Sequence, residues 1–165
     1  MFFQKIAKSW LWINGLGGRR MDGLTKEEAI VLGRSLNLPD VVLDIIKGKT
    51  PKNLQNYFST PMVYDLTKLE QEAYGFGKVL PLWASTNGNI IYAYDFLNDD
   101  YFEFDWEGDI LTRFSSWDDL LKENINRVID VKCDDYDDKE LLEVLRGIFS
   151  GFNIEDFDSV FWGVY

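Results

Sequence analysis

Between Asp95 and Asp119 the chain gathers the residues whose types and spacing could do chemistry. Asp95, Asp99, Asp100, Glu103, Asp105, Glu107 and Asp109 follow one another closely, and Asp118 and Asp119 come just after. Paired carboxylates can cleave glycosidic bonds when one acid sits in an apolar site and the other stays solvated. Here the acids alternate with aromatic residues, which puts them on the wet face of strands and reads first as a solvated surface. Calcium could be held at the turns, but the spacing fails. With Gly108 as the sixth position of an EF-hand loop, Phe114 stands where the bidentate glutamate is required. The chain has no histidine. That removes Ser-His-Asp and Cys-His arrangements, imidazole zinc sites and the commonest general base. Cys133 is the one cysteine, so no internal disulfide and no cysteine metal cluster can form. It sits among aspartates, which oppose thiolate formation, and is expected to be a small, partly buried apolar residue. No catalytic residue, cofactor or metal is therefore expected.

The elements that must position these acids are legible from the turns. Leu80-Pro81-Leu82-Trp83-Ala84-Ser85 is an apolar run, followed by Thr86-Asn87-Gly88-Asn89 and then Ile90 to Phe96. Asn-Gly between apolar runs signals a hairpin in which both central residues take positive φ. Leu97-Asn98-Asp99-Asp100 and Glu107-Gly108-Asp109 supply two further turns. Ile90, Tyr92, Tyr94 and Phe96 fall on one face of their strand, as do Phe102, Phe104 and Trp106 on theirs. Asp95, Glu103 and Asp105 fall on the other, so half-buried antiparallel strands are expected.

Before the meander, Thr25-Lys26-Glu27-Glu28 reads as a capping box, with Pro39 stopping that helix. Asp40 is expected to cap a short helix that Gly48 ends. Thr50-Pro51 is expected to start another, carrying Leu54, Tyr57 and Phe58. Met62-Val63-Tyr64 reads as a short strand, and Asp65 as the cap of a helix from Leu66 to Tyr74. At the start, Gly15-Leu16-Gly17-Gly18-Arg19-Arg20 lacks the lysine-serine/threonine ending of a phosphate loop and reads as a linker. Trp10, Trp12 and Ile13 are expected to form a short element docked on the domain. After the meander, Trp117, Leu120, Leu121, Ile125, Val128 and Ile129 give a helix a broad apolar stripe. Asp134-Asp135-Tyr136-Asp137-Asp138 precedes a helix with Leu141, Leu145, Ile148 and Phe149. Phe157, Val160, Phe161 and Val164 share a face of the last one. The change at Cys133 marks a subdomain boundary whose later helices pack on the sheet or on a second copy.

The strand Leu80 to Ala84, the Asn-Gly turn, the aromatic-acidic meander and Phe114-Ser115-Ser116-Trp117-Asp118-Asp119-Leu120-Leu121 together resemble the SMI1/KNR4 (SUKH) superfamily. Leu38-Pro39-Asp40 through Ile46 is similar to the short Leu-Pro helix near the start of that fold. The resemblance covers roughly Leu24 to Asp130; Gly48-Lys49-Thr50 replaces the usual Asn-Gly-Gly, and the chain after Cys133 is not covered. The fold class expected is α+β, with a central antiparallel meander of about 4–6 strands and helices around one face and at the ends. Residues 1–165 are expected to form one domain, with a core over about 24–130 and a helical extension over about 134–165.

The resemblance implies a non-enzymatic binding protein. Bacterial members are typically immunity proteins that bind and neutralise a toxin domain, often a nuclease, from polymorphic or contact-dependent systems. Fungal members regulate cell-wall synthesis, which leaves a regulatory or scaffold role as the alternative and a carboxylate-based hydrolase as the less favoured one. The net charge of −11 agrees with a basic protein partner, disfavours nucleic acid and anionic membranes, and equally serves plain solubility. Opposed carboxylates on neighbouring strands repel by about 0.2–1 kcal/mol per pair, which water or a basic partner relieves. The expected partner surface is Asp95, Asp99, Asp100, Tyr101, Glu103, Asp105, Glu107, Asp118 and Asp119. Trp83, Tyr92, Tyr101 and Trp106 are candidate anchors, although alternation turns Tyr92 and Trp106 to the core. Homo-oligomerisation through the Phe157 to Val164 stripe stays open. The opening apolar run is too short for a secretory segment, and no stretch spans a bilayer, so a cytoplasmic protein is expected.

Overall fold

A computed structural model describes residues 23–73, 79–105 and 109–164. The expectations for Trp10, Trp12 and Ile13, for the glycine-arginine stretch, for Tyr74 to Gly77 and for Trp106, Glu107 and Gly108 lie outside those residues. The fold is α+β. Among the described residues, β1 (Val79–Ala84), β2 (Ile90–Asp95), β3 (Asp100–Asp105) and β4 (Ile110–Phe114) form one antiparallel sheet in the order β1-β2-β3-β4. No helix among them is long and apolar enough to cross a membrane.

Helix α1 (Lys26–Ser35) opens on the expected capping box. The Thr25 hydroxyl accepts from the Glu28 N–H at 3.2 Å, and the Glu28 carboxylate accepts from the Thr25 N–H at 2.8 Å. It stops earlier than Pro39, at a left-handed Asn37 with φ 54°. There the Leu38 N–H reaches the Gly33 carbonyl and the Asn37 N–H reaches Arg34, which satisfies the last carbonyls. Gly33 permits close helix packing, since a Cβ there would lie 2.7 Å from Leu43. Helix α2 (Asp40–Ile46) begins after Pro39 with no side-chain cap, so Asp40 is its first residue instead of its cap. Gly48 ends it, at φ 82°.

Two expected elements are replaced. Residues 52–57 form turns in which the Leu54 N–H reaches Pro51 and the Tyr57 and Phe58 N–H groups both reach Leu54, isolated bonds and not a helical ladder, yet Leu54 and Phe58 are buried as the spacing required. Met62–Asp65 is a 3-10 turn and not a strand, and the Tyr64 hydroxyl donates to the Pro81 carbonyl at 2.6 Å. Burial of that phenol pushes it far above the ordinary tyrosine range. Helix α3 (Lys68–Ala73) is capped by Thr67 with Glu70, and Asp65 stays outside it.

The Asn-Gly hairpin sits where expected with a different turn. Only Gly88 takes positive φ, at 73°, and the Ser85 carbonyl accepts from the Gly88 N–H. Asn87 instead uses its side chain, accepting from the Asn89 N–H at 3.2 Å. The register pairs Tyr92 with Glu103 and Asp95 with Asp100. Residues of β1 and β2 are buried on both faces apart from half-buried Ile90, so the expected half-buried sheet is in fact covered twice.

The core centres on Trp83, which is fully buried. Its ring meets the edges or faces of Phe58, Tyr92, Trp117 and Phe152 at centroid distances of 5.6–5.9 Å. Its indole N–H donates to Asn124 at 3.2 Å, on α4 (Trp117–Lys132). The amphipathic stripe of α4 is as expected, with Leu120, Leu121, Ile125, Val128 and Ile129 buried. Helix α5 (Asp138–Phe149), capped by Asp137, buries Leu141, Leu145, Ile148 and Phe149. A 3-10 turn (Ser150–Phe152) then inserts Phe152 beside Phe58 at 5.1 Å, and α6 (Phe157–Val164) buries Phe161. The elements after Cys133 therefore pack on the sheet's own core. Cys133 is itself exposed, contrary to its expected burial, because α4 ends there and turns into the acidic loop.

Removing the Phe152 ring leaves a cavity beside Phe58, Trp83 and Phe149. Phe152→Ala should lower stability by about 3–5 kcal/mol, read as a lower denaturant midpoint with no change in solution mass.

Candidate functional site

Alternation along β2 decides where the meander's acids point. Tyr92 and Asp95 are three residues apart, so they occupy opposite faces. Their register partners follow them, Glu103 with Tyr92 and Asp100 with Asp95. The expected single wet face therefore does not exist. Asp95 is 2% exposed and Glu103 1%. A carboxylate that deep must be paired, and two arginines do it.

On one face Arg113, from β4, grips Asp100 through Nη1 at 2.6 and 2.8 Å and Asp95 through Nη2 at 3.1 Å. Its guanidinium also lies 5.2 Å above the Phe102 ring. Asp95 further accepts from the Leu97 N–H at 2.9 Å and the Asn98 amide at 2.6 Å, which shapes the β2–β3 turn. The opposed pair Asp95–Asp100 is thus neutralised from within. Burial pulls the Arg113 guanidinium down, and its bonds to Asp100 and Asp95 outweigh that and raise it.

On the other face Arg127, from α4, reaches three groups. It donates to Glu123 at 2.8 Å, to the Tyr92 hydroxyl at 2.8 Å and to Glu103 Oε1 at 2.8 Å. Glu103 Oε2 lies 2.8 Å from the same nitrogen but accepts no hydrogen bond, so charge alone holds it. Burial, with some relief from Arg127, raises the Tyr92 phenol well above its ordinary range.

The remaining expected residues are scattered. Asp99 is exposed, in a left-handed turn with φ 54°, and accepts from the Tyr94 hydroxyl. Tyr101 is half-buried and packs on Trp117 at 5.6 Å. Asp105 is half-buried and accepts from the Asp109 N–H at 2.9 Å. Glu107 lies outside the described residues. Asp118 is exposed, while Asp119 accepts from the Ser115 and Ser116 hydroxyls at 2.7 and 2.8 Å, which hold its carboxyl below its ordinary range. Of the expected anchors, Trp83 and Tyr92 are buried and present nothing to a partner.

What the structure brings together instead is a second acidic surface at the start of α4. A groove of about 360 Å³ runs between β4 and α4, lined by Phe114, Asp119, Lys122, Glu123 and Asn126. A neighbouring cleft of about 360 Å³ joins Asp118 and Lys122 to Glu155 and Asp156 before α6. Five carboxylates line the two; Lys122 leans on Asp119 at 3.8 Å, Arg127 already pairs Glu123, and Asp118, Glu155 and Asp156 are exposed. Glu123, Glu155 and Asp156 are not among the partner residues expected from the sequence. The signals were the four-residue spacing of Glu123 to Arg127 and the acidic start of the last helix. Among the described residues no group of three or more acidic or cysteine side chains is placed to hold a metal ion. The arrangement attracts cationic groups at a shallow, wet surface. Compared with known proteins, the chain matches no family model, no curated protein and no solved structure.

Two outcomes follow from these clusters. Arg127→Ala strands Glu103 and should lower stability by about 2–3 kcal/mol, at the weaker end because Arg127 is itself partly exposed; adding Glu103→Leu should recover part of it in chemical denaturation. Tyr94 is held to Asp99 by its hydroxyl and is also screened from water, which push its phenol up to about 12 from 10.0. A raised pKa makes this contribution whole below about pH 10 and lost as pH rises toward 12. Stability should therefore fall less steeply over that window in Tyr94→Phe.

Proposed function

We propose that the protein is a non-enzymatic binding module for a basic protein domain, of the kind an immunity protein masks on a toxin. One observation carries this reading. Arg113 and Arg127 neutralise the meander's buried acids internally, so the excess of −11 resides on exposed carboxylates. Asp118, Glu155 and Asp156, all exposed, gather with half-buried Asp119 around the start of α4 against a single lysine. Such a surface speeds encounter with a positive partner and rejects acidic ones. Carboxylates spaced over a shallow surface can also stand in for the phosphates that a nuclease cleft binds. The likeness of the meander to SUKH proteins supports the same class, with a regulatory or scaffold role as its alternative, and a cytoplasmic setting follows from it. The charge disfavours nucleic acid and anionic membrane as partners.

The test is co-purification from the native cell, followed by expression of the captured domain alone and with this protein. A basic domain that arrests growth alone and not in company supports the reading. Capture of nothing basic, or growth arrest unrelieved by this protein, overturns it. Affinity for that domain should weaken at least tenfold from low to high ionic strength, measured by titration calorimetry.

A further inference from the structure

We propose that the outer edge of β4 is a docking strand, to which the partner adds an extended segment carrying alternate lysine or arginine residues. This rests on the reading of the protein as a module for a basic partner, and it names the surface that makes the contact.

The two edges of the sheet are treated differently. The β1 edge is closed by Ser59, whose N–H and carbonyl bond Ala84 at 2.9 and 2.8 Å. Among the described residues nothing pairs with β4 beyond β3. Its burial pattern says the same. A strand covered on one face hides every second residue, whereas Ile110, Leu111, Thr112 and Arg113 are all exposed in succession. Ile110 is 37% exposed and Leu111 49%, an open edge with apolar side chains. Exposed edges are usually guarded by a lysine or proline. β4 has neither; its one irregularity is a bulge that leaves Leu111 without a partner on β3 between Ile110 and Thr112, and its one cation, Arg113, is turned back onto Asp95 and Asp100.

The groove against α4 then selects the occupant. A strand laid along β4 directs alternate side chains toward α4. There the stem of a lysine or arginine crosses Phe114, and its charged end reaches Asp119, which Lys122 holds only loosely at 3.8 Å, beside Glu123, which Arg127 already pairs. An acidic segment would meet those same carboxylates. A second copy of this chain is also disfavoured, since it would bring two such grooves together.

The experiment uses blocked octapeptides on the full chain. One alternates valine and lysine, one valine and glutamate, and one proline and lysine, which keeps the charge and cannot pair as a strand. Affinity is read by fluorescence anisotropy and location by amide hydrogen exchange. The valine–lysine peptide should bind and slow exchange over residues 110–114, with the other two at least tenfold weaker. Leu111→Lys and Ile110→Lys, both at exposed positions, should each weaken it at least tenfold with unchanged melting curves. Equal binding of the proline–lysine peptide, protection elsewhere, or no binding overturns the proposal. So does a native basic partner that binds Leu111→Lys as well as wild type, and that result leaves the module reading standing.

Discussion

Two carboxylates inside the sheet, Asp95 and Glu103, set the terms for everything around them. Removing an unpaired carboxylate from water costs several kcal/mol, about the margin by which a small domain is stable. Each must therefore find a cation in the fold, and each finds one from a different element. Arg113 ties β4 to the far end of β2 and to the first residue of β3. Arg127 ties α4 to β2 and β3 through Tyr92 and Glu103. Apolar packing alone tolerates a helix slid by a turn. A guanidinium that must reach Glu123, Tyr92 and Glu103 together tolerates no such slide. The arginines thus fix the register of α4 on the sheet, and with it the indole of Trp83 against Asn124.

That pairing also determines the outer electrostatics. Most of the described cations are in ion pairs, as Lys47 is with Asp44, Lys68 with Glu28 and Arg146 with Asp158. With 17 cations against 28 acids, what is left outside is carboxylate. Its concentration at the start of α4 has a local cause. Acids are favoured at a helix N-terminus by unpaired N–H groups, and α4 and α6 bring their starts together at one cleft. Helix stability alone is enough to favour acids at these positions.

The sequence was legible wherever a single short-range rule decided the outcome. The capping box at Thr25, the stripe of α4 and the position of the Asn-Gly turn are local, and each was read correctly. The acids were misread because alternation within a strand does not say what lies across it. The aromatic–acidic alternation of β3 looked like an oily face and a wet one. The strand is in fact covered on both sides, with Glu103 opposite Tyr92 on one face and Asp100 opposite Asp95 on the other. Nothing local announces Arg127, which sits 24 residues from Glu103. Trp83 likewise read as an anchor for a partner because aromatics enrich at interfaces. Only the insertion of Phe152, far along the chain, shows it to be the hub of the core.

The open edge of β4 is consistent with this arrangement. An unguarded strand edge invites a second copy of the same chain, and folded proteins usually blunt it with a charge on the edge itself. Here the cation that could serve, Arg113, is withdrawn to satisfy Asp95 and Asp100. Protection falls instead to the field of the whole molecule, which repels its own kind through −11 charges. That form of protection is selective. It discourages a like-charged copy at a distance and leaves a positively charged segment unopposed. The internal demand for arginine thereby leaves an exposed strand whose protection against self-association is the net charge.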